Sequence, residues 1–170
     1  MPPNVTFRLA EPCDEPVLRD MLYFAVFVPP GSPRPDYSIV AHPAVARYVS
    51  GWGRRGDDGI IAIASNGDPI GAAWLRLWSE HDHGYGFIDA FTPELCVAVR
   101  PEFRGIGFGT ELLRRLLQRA DESHDSVSLS VSLQNPAVRL YERLGFVSVA
   151  VAGASKTMRR TRPFVPSQDA

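Results

Sequence analysis

The chain has 170 residues, a length that one hydrophobic core can organise. Apolar residues make up 45% and charged residues 22%, which excludes disorder over most of the sequence. The net charge of −1 speaks against a dedicated nucleic-acid binder, but it hides an asymmetry: residues 1–99 carry 7 basic and 12 acidic side chains, whereas residues 100–170 carry 11 and 7. An acidic half suits a cationic ligand and a basic half an anionic one.

Cys13 and Cys96 allow one pairing at most, and Cys96 lies in the apolar run Leu95-Cys96-Val97-Ala98-Val99, so it reads as a buried thiol. Met1-Pro2-Pro3-Asn4 has no apolar signal core. No apolar stretch approaches the ~20 residues that a membrane span needs. The expectation is a cytoplasmic protein with no membrane partner.

Val5 to Leu9 alternates and predicts a first strand. Asp14 is placed to cap a helix whose apolar face is Val17, Leu18, Met21, Leu22, Ala25 and Val26. Prolines 29, 30, 33 and 35 enforce a loop. A short helix over 43–48 follows. Ile60 to Ala64 and Ile70 to Trp78 form a hairpin about Asn66-Gly67, a strong turn signal. Residues 81–86 are polar and glycine-bearing, hence a loop. Glu94 to Val99 reads as a central strand covered on both faces.

A glycine-rich turn at 104–109 leads into a helix with Leu112, Leu113, Leu116, Leu117 and Ala120 on one face. Val127 to Leu133 alternates apolar residues with serines, a strand with one apolar face. Asn135-Pro136 opens a last helix, which Gly145 stops. Residues 146–151 and 155–158 predict two closing strands. A single domain over 5–162 with a loose tail at 163–170 follows.

The chemistry concentrates in Val97 to Thr110. A buried strand runs into alternating glycines and a helix start. Successive N–H groups there converge, and the helix dipole favours negative charge. Glycines let phosphates approach the main chain, and Arg104 adds a mobile positive charge. A nucleoside-triphosphate loop would need Lys before Thr110, and this chain has Gly109. A dinucleotide fingerprint needs Gly-x-Gly-x-x-Gly, and the spacing here is Gly-x-Gly-x-Gly. A coenzyme A cradle fits the pattern; a merely tight strand-to-helix turn is the plain alternative.

Arg104-Gly105-Ile106-Gly107-Phe108-Gly109 resembles the Arg/Gln-x-x-Gly-x-Gly/Ala signature of the GNAT superfamily of N-acetyltransferases. Asn135-Pro136-Ala137 with Leu140-Tyr141-Glu142-Arg143-Leu144-Gly145-Phe146 resembles that family's second motif. The resemblance covers about 94–147. It implies an α+β fold with a mixed, mostly antiparallel sheet of about seven strands and about four flanking helices. The fourth and fifth strands would splay to admit the pantetheine arm of acetyl-CoA, the co-substrate; no metal is implied.

By the same resemblance, main-chain groups of Val97, Ala98 and Val99 pair with pantetheine, and a strand N–H near Val97 or Ala98 stabilises the oxyanion. Amides of Arg104, Gly105, Gly107, Gly109 and Thr110 hold the pyrophosphate; Ile106 and Phe108 join the cofactor-binding set through exposed N–H groups, while their side chains pack. Asn135 contacts the cofactor arm. Tyr141 protonates the leaving thiolate, and Glu94 acts as base or orients a water, with Asp89 a weaker choice. His81-x-His83 reads as surface loop rather than metal site.

The implied reaction transfers acetyl directly to a primary amine of a small molecule, amino acid or peptide. A non-catalytic acyl-CoA sensor is the alternative. Aromatics (Tyr37, Tyr48, Trp52, Trp74, Trp78, Tyr85, Phe87) and acids (Asp57, Asp58, Glu80, Asp82, Asp89) would suit a cationic acceptor. Relatives of this kind leave room for a homodimer.

Overall fold

The computed structural model describes residues 4–165. Met1 to Pro3, and residues 166–170 of the expected tail, lie outside them. Seven strands form one sheet: β1 (Val5–Leu9), β2 (Asp58–Ala64), β3 (Pro69–Arg76), β4 (Glu94–Val99), β5 (Ser126–Ser132), β6 (Val147–Ala152) and β7 (Ser155–Thr161). Their spatial order is β1-β2-β3-β4-β5-β7-β6. The helices are α1 (Glu15–Ala25), α2 (Pro43–Ala46), α3 (Phe108–Ala120) and α4 (Val138–Arg143). This is the mixed, mostly antiparallel sheet that the family resemblance implied.

Each face of the sheet has its own core, because strand side chains alternate between faces. On one face Ile60, Ala73, Leu75, Leu95 and Val99 pack under Leu112, Leu113 and Leu116 of α3. On the other, Ile61, Ala72, Trp74 and Ala98 pack under Leu18, Met21 and Leu22 of α1 and under Tyr48, Val49 and Trp52. The central strands therefore read as apolar runs, whereas β5 alternates: Val127, Leu129 and Val131 are buried in the α3 core and its serines face the other way.

Several local expectations shift. The hairpin forms, but its turn spans Ser65 to Asp68, and only Gly67 has positive φ, at 88°. Asp14 does not cap α1 with its side chain; its carboxylate takes a fork from Arg8 (2.6 and 2.8 Å) and the Glu11 N–H. α2 ends at Ala46 rather than Tyr48, and α4 begins at Val138, three residues after Asn135. Asn135 still accepts the Ala137 N–H, at 2.9 Å, which braces the turn entering α4.

The functional consequence lies between β4 and β5. They run parallel and meet at one described pair, Glu94 with Ser128, where the Ser128 N–H donates to Pro93 O at 2.9 Å. β4 stays paired to β3 along its whole length, from Arg76–Glu94 to Gly71–Val99. Beyond Glu94, β4 and β5 diverge and leave a gap.

Candidate active site

Which groups face that gap follows from the β3 ladder. The Arg100 N–H donates to Ile70 O, at 2.9 Å. In an antiparallel pair, donors and acceptors alternate sides every residue. Glu94, Cys96 and Ala98 therefore spend their main-chain groups on β3, and those of Leu95, Val97 and Val99 face the gap. This separates two residues that the sequence reading had grouped. Val97 presents a free N–H to the gap; Ala98 does not, so the expectation of an Ala98 main-chain contact or oxyanion donor is corrected.

At the far end of β4 the chain makes a one-turn 3-10 helix at Pro101–Phe103 and then enters α3 through Gly105 and Gly107, with φ of 77° and 97°. Both left-handed conformations strain any L side chain. Space is not the reason for glycine: a Cβ at either position would meet nothing within 4 Å. Main chain there is thus open to a ligand. The first helical bond of α3 is Glu111 N–H to Gly107 O, which leaves the N–H groups of Phe108, Gly109 and Thr110 at the helix start without intrahelical partners. Amides of Gly105, Ile106 and Gly107 are likewise unengaged among the described residues. Six consecutive N–H groups thus lie at the positive end of a 13-residue helix, an arrangement suited to an anion and called the cradle below.

Arg104 departs from its expected role. Its N–H is bound to Pro101 O, and its guanidinium donates to Val99 O at 2.8 Å and Phe24 O at 3.2 Å. It is a pin between β4 and the end of α1, not a mobile charge, and its amide is not available to a phosphate. Ile106 is 54% exposed and does not pack, whereas Phe108 packs against the α3 core.

At the near end of the gap sits Glu94, 3% exposed. Its Oε1 accepts from the Tyr48 hydroxyl (2.7 Å) and the Gly86 N–H (2.9 Å), and its Oε2 from Trp78 Nε1 (2.8 Å). Burial raises this carboxyl above the ordinary glutamate range, and the three donors offset that only in part. Oε1 is saturated; Oε2 keeps a lone pair. Tyr48 also accepts the Tyr85 N–H, at 2.7 Å. The Tyr85 and Gly86 amides thus strap the 79–93 loop over the carboxylate.

A Cβ on Gly84 would stand 2.4 Å from Glu94 Oε2, and one on Gly86 2.7 Å from the Leu129 carbonyl carbon. Gly84-x-Gly86 was the sequence signal for this close approach, and it was read only as loop. Beside Glu94, the Ser128 hydroxyl is fully buried and has no partner among the described residues.

Tyr141 is buried on α4, and its hydroxyl is raised above the ordinary tyrosine range by burial and by the neighbouring Cys96 thiol of β4. No hydrogen bond contributes to that shift. The side chain is thus a protonated phenol beside the floor of the gap. Asp89 accepts the Phe91 and Thr92 N–H groups (2.9 and 2.8 Å), a turn-bracing role. His83 stacks on Phe87 at 4.4 Å. Among the described residues no group of three or more His, Cys, Asp or Glu is placed to hold a metal, and no helix is long and apolar enough to cross a membrane.

The site thus combines diverging parallel strands with a helix start whose amides are free, in an α+β fold. The sequence profile of the Acetyltransferase (GNAT) family matches residues 31–146. The chain belongs to that family, which makes it an acetyl-CoA-dependent acetyltransferase. Among curated proteins nothing matches significantly.

Solved structures share the fold. The yncA putative acetyltransferase of Salmonella typhimurium, with its cofactor acetyl-CoA, is 24% identical over 98% of this chain and 99% of its own, with a TM-score of 0.66. A phosphinothricin acetyltransferase from Sinorhizobium meliloti, in complex with acetyl-CoA, is 20% identical over 93% and 88%, also at 0.66. The spermidine N-acetyltransferase of Vibrio cholerae, with CoA and spermine, is 19% identical over 93% and 95%, at 0.61.

Proposed function

We propose that the protein moves acetyl from acetyl-CoA directly to a primary amine, in a single domain spanning 5–162. The observation that carries this reading is the gap itself: among the described residues, the main chain of Val97 and the N–H of Val99 have no strand partner on the β5 side, and they lead into six unengaged amides at 105–110. An extended amide-bearing arm suits the first and a pyrophosphate the second. Asn135, at the entry of α4, remains a contact for the arm.

The thioester supplies the acyl group. Attack by the amine nitrogen forms a C–N bond, and collapse breaks the C–S bond. The Val97 N–H is the oxyanion donor of this scheme. Tyr141 gives its proton to the leaving thiolate; its raised pKa keeps that proton in place at neutral pH. Glu94 takes the amine's proton through the open lone pair of Oε2, directly or through a water that Ser128 helps hold. The neighbours' names make polyamines and phosphinothricin sensible members of an acceptor panel.

Release of free thiol from acetyl-CoA, followed across spermidine, phosphinothricin, free amino acids and alanine-starting peptides, tests the proposal. Turnover with one of them supports it. Tight acetyl-CoA binding with no turnover on any primary amine would favour a sensor.

A further inference from the structure

We propose that Tyr48 is a positioning residue of the acceptor side: its hydroxyl ties the Glu94 carboxylate to the Tyr85 amide, and a buried Arg76–Asp57 pair holds its main chain in place. The proposal rests on the transferase reading for its kinetic consequence, not for its structural content.

Arg76 and Asp57 have side chains each 1% exposed. Arg76 Nε and Nη2 fork onto Asp57 at 3.0 and 2.8 Å. Arg76 Nη1 donates to Arg47 O and Ser50 O, at 2.7 and 2.8 Å. Those two carbonyls bracket Tyr48, and Trp74 Nε1 donates to Tyr48 O itself at 3.0 Å. Three hydrogen bonds from two β3 side chains therefore fix a segment that has no helix of its own after Ala46.

From that fixed segment, two adjacent side chains reach the strap. Arg47 donates to His83 O and faces Asp82 at 3.6 Å, and Tyr48 takes the Tyr85 N–H. Tyr48 is the one that also touches Glu94.

Electrostatics sharpens the role. Arg76 stands directly across the β3–β4 ladder from Glu94, so their side chains share a sheet face. Yet Arg76 gives its charge to Asp57, and Glu94 receives only neutral donors. The charged or titratable groups around Glu94 are Tyr48 from the segment after α2, Arg76 from β3, Cys96 from its own strand and His83 from the strap; Ser128 of β5 is neutral. Asp57 thus neutralises Arg76 where it stands, and Tyr48 supplies a hydrogen bond to Glu94.

Two variants shift Glu94 in opposite directions. Tyr48→Phe removes a donor to the carboxylate, so the Glu94 midpoint rises, by about one pH unit. Asp57→Asn leaves Arg76 uncompensated across the ladder, so the midpoint falls. The midpoint is read by NMR titration of ¹³C-glutamate-labelled protein, together with amide exchange at Tyr85 and Gly86 and acetyl-CoA affinity by calorimetry.

For Tyr48→Phe, exchange at both amides accelerates about tenfold, acetyl-CoA affinity stays put, and kcat/KM for the best amine of the panel falls about tenfold with its acid limb moved to higher pH. An unmoved midpoint with unmoved exchange in Tyr48→Phe overturns the assignment. So do shifts of the same sign in both variants, which would mean general loosening. If Asp57→Asn does not fold, the Tyr48→Phe readouts decide alone. Failure of the parent protein to bind acetyl-CoA would instead overturn the transferase reading, and the titration and exchange would still judge the positioning role.

Discussion

Substitutions at Gly107 separate what the cradle needs for folding from what it needs for binding. Gly107 has φ of 97°, and a Cβ there would meet nothing within 4 Å. Gly107→Ala therefore adds backbone strain without a clash, about 1–2 kcal/mol. For a chain of this size that is a fall of about 5 °C in melting temperature. Gly107→Asp has the same strain and adds a carboxylate at the mouth of six amides. A unit charge about 5 Å from a phosphate, at an effective dielectric near 20, repels it by about 3 kcal/mol. Acetyl-CoA affinity then drops about a hundredfold or more, against tenfold or less for Ala. Calorimetry with acetyl-CoA, paired with thermal melts, reads both numbers. Equal affinities for Gly107→Asp and the parent, in a protein that melts cooperatively, would refute the cradle.

Gly86→Ala acts at the other end of the gap. Its Cβ would stand 2.7–2.8 Å from backbone of Leu129 and Ser130 and from Glu94 Oε1, so the strap must lift off. Loss of a buried bond to a carboxylate costs about 2–3 kcal/mol, a melt lower by about 4–12 °C; a melt within 2 °C of the parent (about 0.5–1 kcal/mol) contradicts the contact. Tyr141→Phe removes a hydroxyl that no hydrogen bond holds, so melting is unchanged while turnover at saturating acetyl-CoA falls about tenfold. An unaltered rate across pH removes Tyr141 from the acid role. Asp14 is held below the ordinary aspartate range by the Arg8 guanidinium. Its folded pKa is depressed, so the stability it adds is present above the unfolded value of about 3.9 and is lost as pH falls through the folded one. Asp14→Asn should cost about 1 kcal/mol at pH 7, since Arg8 is partly exposed, and nothing once both states are protonated; a penalty independent of pH in denaturant melts would contradict this.

How much of this was legible in the sequence depends on the range of the interaction. Strand and helix positions follow from local periodicity, and the cradle follows from glycines next to a helix start in one continuous stretch. Side-chain roles slipped where a partner lay outside the local pattern. Asp14 left its capping role for Arg8, and Arg104 left the phosphate site for carbonyls at Val99 and Phe24. Ala98 and Val97 are adjacent letters, and only the ladder with β3 tells which faces the gap. The composition around Tyr48 and Trp78 suggests acceptor aromatics, yet what they do depends on a strap 30 or more positions from Tyr48 and on a carboxylate at 94. No window of sequence contains that arrangement. Gly84-x-Gly86 was the one local trace of it.

The charge asymmetry changes meaning through the same pairings. Twelve acidic residues in the first half suggested an acceptor side shaped by negative charge. In the fold, Asp14, Glu15, Asp57, Asp58 and Asp82 each face an arginine, and Asp89 braces a turn. Those charges are compensated where they stand and project little field into the gap. The carboxylate at the gap's near end is Glu94, and it is buried among neutral donors with a raised pKa. A group of that kind does not attract ammonium from a distance. In the proposed reaction such a group suits an acceptor that arrives by shape and apolar contact and takes up one proton once the amine is desolvated beside it. In the same proposal, selection by charge belongs to the other substrate: the amides at 105–110, unpaired among the described residues, have a helix dipole behind them and suit an anion.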